Sequence, residues 1–308
     1  MKPQIERALL LGSSGFIGTH LARILQAEGI DVVGVVRRAE AAAGSAIVCD
    51  LTEDRTTLLR SISTLQPSVI FQLAAPGASA ADDDVTVVDQ TLRIMDHALY
   101  AADRLPTRPR FVLVSSSAVY GNSSGRTLQE SSRPAPSTMY GVSKVLAETM
   151  ALRCFRATGL PVIVARLFNT IGPGQQPSRA VPNFARQIAD MKRRRSRSSI
   201  STQGLTAYRD LIDVRDAATA LSVIARGGRA GSIYNICSGR AVRMGTVLRR
   251  MLSISGMSDL PIHAASDGGV AYQRGNPARL KALGWRPRFS LNRSLQDVLD
   301  DWCRRTDV

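Results

Sequence analysis

An α/β fold on a doubly wound parallel sheet is what this chain predicts, and three observations carry the prediction. Short, continuously apolar runs alternate with stretches of helical spacing, and the early runs end in glycine or other small residues. Strands that are apolar throughout suit a sheet covered on both faces, as parallel sheets are. The alternation breaks after residue 170, which predicts a smaller C-terminal α/β part beside the main sheet.

The elements follow in order. Arg7 to Gly12 reads as a buried strand that stops at glycine. From Phe16 to Ala27 the residues Ile17, Leu21, Ile24 and Leu25 share one helical stripe. Asp31 to Val36, Ser68 to Ala74, Arg110 to Ser115 and Leu160 to Leu167 are further strands, with helices over 85–103 and 139–157. Ile171-Gly-Pro-Gly-Gln-Gln-Pro177 is turn-rich, so the chain leaves the sheet there. A helix is expected over 182–192 and another over Asp213 to Ala225, followed by a strand at Ser232 to Ile236. The last 70 residues are expected to be short helices with a Gly-Trp-Arg-Pro turn at 284–287. The organisation predicted is one domain of residues 1–170 plus 211–239, and a second of 171–210 plus 240–308.

Composition narrows the function classes. At 44 % apolar residues, the 308-residue chain can bury a core and is not expected to be disordered. No run reaches the ~18 apolar residues of a membrane span. Met1-Lys2-Pro3 leads into a strand pattern without a secretory apolar run. Cys49, Cys154, Cys237 and Cys303 are widely spaced, with no metal-binding pattern, so reduced thiols in a cytoplasmic protein are expected. The net charge of +15 is uneven. Residues 1–178 hold 17 basic and 15 acidic side chains, against 23 and 10 in residues 179–308. Such a basic part suits nucleic acid, membrane phosphate or a small anionic substrate. Only Lys2, Lys144, Lys192 and Lys281 are lysines, so a compositional habit toward arginine is the competing explanation.

Three motifs carry chemistry. Gly12-Ser-Ser-Gly15-Phe-Ile-Gly18 lies between a strand and a helix. Glycines there permit a tight turn, approach of backbone to a pyrophosphate, and close helix–strand packing. The second strand ends in Arg37-Arg38 rather than an acid, which suits a 2′-phosphate and favours NADP(H) over NAD(H). Asp50, beside Leu51, is placed to meet the adenine. Tyr140-Gly-Val-Ser-Lys144 puts phenol and ammonium on one helix face. A free tyrosine ionises at about pH 10, and a neighbouring cation favours the phenolate, so the pair can move a proton. Ser115-Ser116-Ser117-Ala118-Val119-Tyr120 closes a strand with hydroxyls that can bond a reacting oxygen. His20, His97 and His263 are isolated and read as structural or solvated.

On these motifs the sequence resembles the extended short-chain dehydrogenase/reductases of the NAD-dependent nucleotide-sugar epimerase/dehydratase class, over nearly the whole chain. That resemblance implies a Rossmann-type domain, with Ser116, Tyr140 and Lys144 as catalytic residues, Tyr120 as a marker and Ser117 as the alternative to Ser116. It implies cofactor contacts from Ser14, Phe16 and Ile17, from Leu73, Ala74 and Ala75, and from Tyr140 and Lys144. Within the class, four strings are similar to those of the GDP-4-keto-6-deoxy-D-mannose reductase family. They are Ala165 to Gln175, Phe184 to Ile188, Tyr208 to Asp216 and Ile233 to Gly239. The likeness implies that Asn169 and Arg209 contact a sugar-nucleotide diphosphate, with Ser117 and Arg274 as further substrate candidates. Guanidinium binds phosphate bidentately. Gln72 stands where many relatives have histidine, and Leu167 where proline is usual. Ser117 and Ala118 replace the acid and base of a dehydratase, which disfavours 4,6-dehydration.

The function implied is NADPH-dependent reduction of the C4 keto group of a nucleotide-diphospho-4-keto-6-deoxyhexose, GDP-4-keto-6-deoxy-D-mannose first. A homodimer through the 85–103 and 139–157 helices is implied too. A 4-epimerase holding NAD stays open, because Ser-Ser-Ser-Ala-Val-Tyr-Gly also resembles such enzymes; Arg37 argues against it. A non-catalytic NADP-sensing or RNA-binding protein on the same fold is the reading the charge motivates. The complete Ser-Tyr-Lys set argues against that, and nucleic acid is not the expected partner.

Overall fold

The computed structural model describes residues 5–39, 45–76, 84–265 and 271–306. The chain begins β1 (Arg7–Leu11), α1 (Phe16–Ala27), β2 (Asp31–Val36), β3 (Ala46–Val48), α2 (Arg55–Leu65), β4 (Val69–Gln72) and α3 (Asp84–Asp103). It continues β5 (Arg110–Ser116), a 3₁₀ turn (Ser117–Tyr120), β6 (Thr127–Leu128), α4 (Met139–Thr158), β7 (Val162–Leu167), β8 (Asn169–Ile171) and α5 (Ala180–Arg193). Then follow β9 (Ile200–Thr202), β10 (Tyr208–Asp213), α6 (Val214–Gly227), β11 (Ile233–Ile236), β12 (Ala241–Arg243) and α7 (Met244–Ser255). The last elements are β13 (Ile262–Ala264), β14 (Arg274–Gly275), α8 (Ala278–Ala282) and α9 (Leu291–Thr306).

Seven strands make one parallel sheet in the order β3-β2-β1-β4-β5-β7-β11. The order reverses between β1 and β4, so the loops leaving those strands diverge and open a crevice at their carboxyl ends. Both faces are covered, which explains the continuously apolar strands. Leu10 and Phe71 pack with Leu21 and Leu25 of α1 and Leu221 and Ile224 of α6. On the other face Leu9 and Phe111 meet Leu58 of α2, Met95 of α3 and Ala147 of α4. Beside this sheet β10 runs parallel to β8 and antiparallel to β12. An apolar cluster of Phe184, Ile188, Leu248, Met251, Leu295 and Val298 joins α5, α7 and α9.

The first strands and helices lie where the apolar pattern places them. The end of the chain differs from expectation. Rather than short helices alone, it holds the 16-residue α9 and the short strands β12, β13 and β14. Strands of two or three residues have no periodicity to read; only their partners define them. Asp213 ties α9 to the sheet, accepting 2.6 Å from Ser294 Oγ and pairing with Arg215, which also reaches Asp297 at 2.7 Å. The helix α2 was also outside the expected elements, although Asp54 caps it by accepting from Thr57 N at 2.8 Å.

Gly18 shows what the glycine loop requires. A Cβ there would sit 2.4 Å from Gly12 O and 2.7 Å from Ser13 O, both backbone atoms. Gly18→Ala is therefore expected to destabilise the protein by about 1–3 kcal/mol, although alanine is the better helix former. Urea denaturation of the purified variant checks this; a stability equal to that of the unmodified protein would contradict it.

Candidate active site

The crevice is a cleft of about 800 Å³ at the carboxyl ends of β1, β4, β5 and β7. Ser116, Ser117, Tyr140 and Lys144 line it together with Phe16, Ile17, Leu73 and Ala75. Asn169 and Arg209 line it from the side of β8 and β10. Motifs far apart in the sequence thus meet in one place.

Local chemistry sets each side chain. Ser116 ends β5, and its Oγ accepts from Ala118 N at 3.1 Å, capping the 3₁₀ turn. The hydroxyl proton is left to be donated into the cleft. Helix α4 begins at Thr138, whose Oγ1 accepts from Gly141 N at 3.1 Å. Gly141 lies against the 3₁₀ turn, where a Cβ would come within 2.7 Å of Ala118 O. Glycine after Tyr140 therefore lets the tyrosine helix close on the serine strand. One helical turn on, Lys144 is 5 % exposed, with Nζ 5.6 Å from the centre of the Tyr140 ring. Among the described residues Lys144 has no ion-pair partner.

A polar network lies beneath. Glu148, four residues after Lys144, is bound by Arg166 of β7 at 2.7 Å and accepts from Ser115 Oγ at 2.6 Å. The Arg166 guanidinium lies 4.6 Å from the Tyr120 ring centre, and Tyr120 donates to Asn235 Oδ1 of β11 at 2.7 Å. Burial pushes the Tyr120 phenol up to about 12, against a smaller downward pull from Arg166. Of the two tyrosines in these motifs, Tyr120 is held neutral within the wall and Tyr140 faces the cleft.

Arg209 makes no ion pair with Asp210 or Asp213 among the described residues: its Nη1 donates to Tyr208 O at 3.1 Å and Ala271 O at 3.0 Å. Burial lowers its guanidinium from the usual value, and among the described residues no carboxylate pairs with this cation on the cleft wall. Asn169 Nδ2 and Gln175 Oε1 are buried without hydrogen-bond partners among the described residues, one donor and one acceptor on the same wall. The sequence reading did not single out Gln175, Arg179 or Gln273, which also line the cleft. Gln273 Nε2 donates to Gly121 O at 3.0 Å, bringing β14 to the serine turn.

Arg274, expected with the substrate residues, is elsewhere. Its Nε donates to Thr127 Oγ1 at 2.9 Å, and it lines a separate pocket. Gln273, just before β14, lines the cleft, and the next residue, Arg274, faces the other side, as successive residues of extended chain do.

The residues around the glycine loop suit a dinucleotide. Gly12 has φ +90, and its Cβ position lies 2.9 Å from the Ala74 backbone. Gly15 begins α1 with no side-chain cap and no acidic residue in the first turn, leaving its N–H groups for an anion. Ser14 lies in the turn between β1 and α1. Arg37 and Arg38 are exposed at the end of β2, without ion-pair partners among the described residues. Asp50 accepts from Thr52 N and Thr52 Oγ1, which hold its carboxyl below the usual range, with Arg37 adding to the effect. Leu51 is buried beside it and accepts from His97 Nδ1 at 2.9 Å.

The model of the NAD dependent epimerase/dehydratase family matches residues 8–237. This chain belongs to that family of enzymes. It is 34 % identical to the GDP-6-deoxy-D-mannose reductase of Pseudomonas aeruginosa, over 96 % of this chain and 97 % of that protein. The dTDP-6-deoxy-L-talose 4-dehydrogenase (NAD(P)(+)) of Kitasatospora kifunensis is 25 % identical, over 95 % and 94 %. Among solved structures, RMD from Pseudomonas aeruginosa complexed with NADPH superposes with a TM-score of 0.81 at 29 % identity, covering 97 % of this chain and all of that one. No helix among the described residues is long and apolar enough to cross a membrane.

The Glu148–Arg166 pair makes a measurable prediction. Glu148→Gln leaves a buried guanidinium unbalanced and should cost about 3–5 kcal/mol in chemical denaturation. Combining it with Arg166→Met should recover most of that loss. A double variant as unstable as the sum of the two single variants would contradict the coupling.

Proposed function

We propose that this enzyme reduces the C4 keto group of a nucleotide-diphospho-4-keto-6-deoxyhexose with NADPH, and that GDP-4-keto-6-deoxy-D-mannose is its substrate. The observation that carries the reading is one cleft holding Ser116, Tyr140 and Lys144 on one wall and, on the other, Arg209, which has no carboxylate partner among the described residues. The extended identity to a GDP-6-deoxy-D-mannose reductase supports the choice of sugar and base.

NADPH would supply the hydride when bound. Gly12, Ser14, Gly15 and Gly18 would hold its pyrophosphate at the start of α1. Phe16, Ile17, Leu73, Ala74 and Ala75 would flank it, and Asp50 and Leu51 would meet the adenine. Arg37 and Arg38 would take the 2′-phosphate. The substrate lies with its diphosphate on Arg209, where charge-assisted bonds to a partly desolvated guanidinium fix its register. Asn169 Nδ2 supplies a donor to the sugar side, and Ser117 contributes a second hydroxyl. Ser116 donates a hydrogen bond from its hydroxyl to the C4 carbonyl oxygen and so polarises it, keeping its proton. Tyr140 gives a proton to that oxygen as it becomes an alcohol. Lys144 would bond the cofactor ribose, and it steadies negative charge on the Tyr140 phenol.

The chain is assigned to the cytoplasm, in keeping with four free thiols. Its division into domains 1–170 plus 211–239 and 171–210 plus 240–308 is our reading of which segments hold cofactor and substrate. Pairing of two copies through α3 and α4 is supported by Val85 and Leu146, apolar residues exposed on those helices.

Tyr140→Phe is expected to lower kcat about 10²–10⁴-fold while NADPH binding persists. Stopped-flow oxidation of NADPH with a panel of 4-keto-6-deoxy nucleotide sugars tests this. Retention of most turnover would refute the proton role. Arg209→Ala should raise KM for the sugar nucleotide about 10- to 150-fold with little change in NADPH affinity, as loss of a charged hydrogen bond requires. Arg37→Ala should reduce the preference for NADPH over NADH about tenfold or more, measured as a ratio of kcat/KM.

A further inference from the structure

A second pocket of about 320 Å³ lies behind the cleft, lined by Thr127, Ser238, Arg240, Arg274, Asn276 and Lys281. We propose that it is an anion site that takes a phosphate group, separate from the diphosphate site at Arg209.

Four observations support this. Three cations line the pocket and no carboxylate does. None of Arg240, Arg274 and Lys281 has an ion-pair partner among the described residues; the neighbouring Arg279 is the one that reaches Glu130, at 3.7 Å. Arg274 is already oriented, since its Nε is held by Thr127 Oγ1 at 2.9 Å, and Nη1 remains to donate. The rims are fixed by one buried carboxylate. Asp210 accepts from Ser238 N at 2.8 Å, Ser238 Oγ at 2.6 Å, Gly239 N at 3.0 Å and Gly275 N at 3.1 Å. That clamp joins the 238–240 turn to β14 and so holds Arg240 and Arg274 at one opening.

The pocket and the cleft stand back to back. On β10, Arg209 lines the cleft and the next residue, Asp210, clamps the pocket; where the chain enters β14, Gln273 lines the cleft and Arg274 the pocket. Strand alternation makes this separation. Guanidinium and ammonium groups around a concave surface concentrate positive potential and select oxyanions of matching size. A phosphate dianion or the phosphate of a phosphomonoester has that chemistry.

Isothermal titration of the full-length protein with inorganic phosphate and with glucose 1-phosphate, at ionic strength held constant with chloride, tests the site. Saturable binding is expected in the unmodified protein and in Arg209→Ala. At least a tenfold loss of affinity is expected in Lys281→Ala and in Arg240→Gln, whose side chain is exposed and whose folding is checked by thermal unfolding. The tighter of the two ligands distinguishes free phosphate from a phosphorylated metabolite, and either supports the site. No saturable binding of either ligand, binding lost in Arg209→Ala alone, or unchanged affinity in folded Arg240→Gln overturns it.

Discussion

The buried pair Glu148–Arg166 is the constraint on which the site depends. Both side chains are almost wholly buried, so neither charge would be tolerated without the other. Glu148 belongs to the helix of Tyr140 and Lys144, Arg166 to the strand on one side of β5, and Ser115 on β5 donates to the same carboxylate. The pair therefore locks the tyrosine helix in register with the strand that ends at Ser116. An apolar contact would permit sliding that this directional set of hydrogen bonds does not.

Around that lock, close backbone approaches decide where the functional groups meet. Gly141 lets α4 press on the 3₁₀ turn after Ser116, and Gly18 lets α1 press on the glycine loop. Strand alternation divides the other wall: Arg209 and Gln273 serve the cleft, while Asp210 and Arg274 build the structure behind it. One short strand thus supplies a ligand-facing cation and the carboxylate that fixes the loops beyond.

The central sheet was legible because its strands are buried on both faces and so apolar throughout. The glycine loop and the Tyr140–Lys144 spacing were legible because the backbone demands glycine in the one and helix geometry aligns the other. The far wall was harder to read. Gln175, Arg179 and Gln273 face the cleft from loop positions outside the named strands and helices, which have no period to follow. Arg274 was misplaced for the same reason, since the direction of its side chain follows from a pairing with Thr127 that lies 147 positions away. The arginine excess after residue 178 is now divided. Arg209 has a place in the cleft, Arg240 and Arg274 face the second pocket, and Arg215 is spent on Asp213 and Asp297. Of the run 192–197, Arg197 pairs with Asp259 and Arg193 with Asp190 among the described residues.

The central claim is that Ser116, Tyr140 and Lys144 serve net reduction at sugar C4. Its most direct test uses NADPH deuterated at the transferable position of nicotinamide C4, with GDP-4-keto-6-deoxy-D-mannose as substrate and NMR of the sugar product. One deuterium at C4 of a 6-deoxyhexose, with one NADPH oxidised per sugar, is the predicted result. Conversion of nucleotide sugars without net NADPH oxidation, or deuterium absent from C4 of the product, would contradict it.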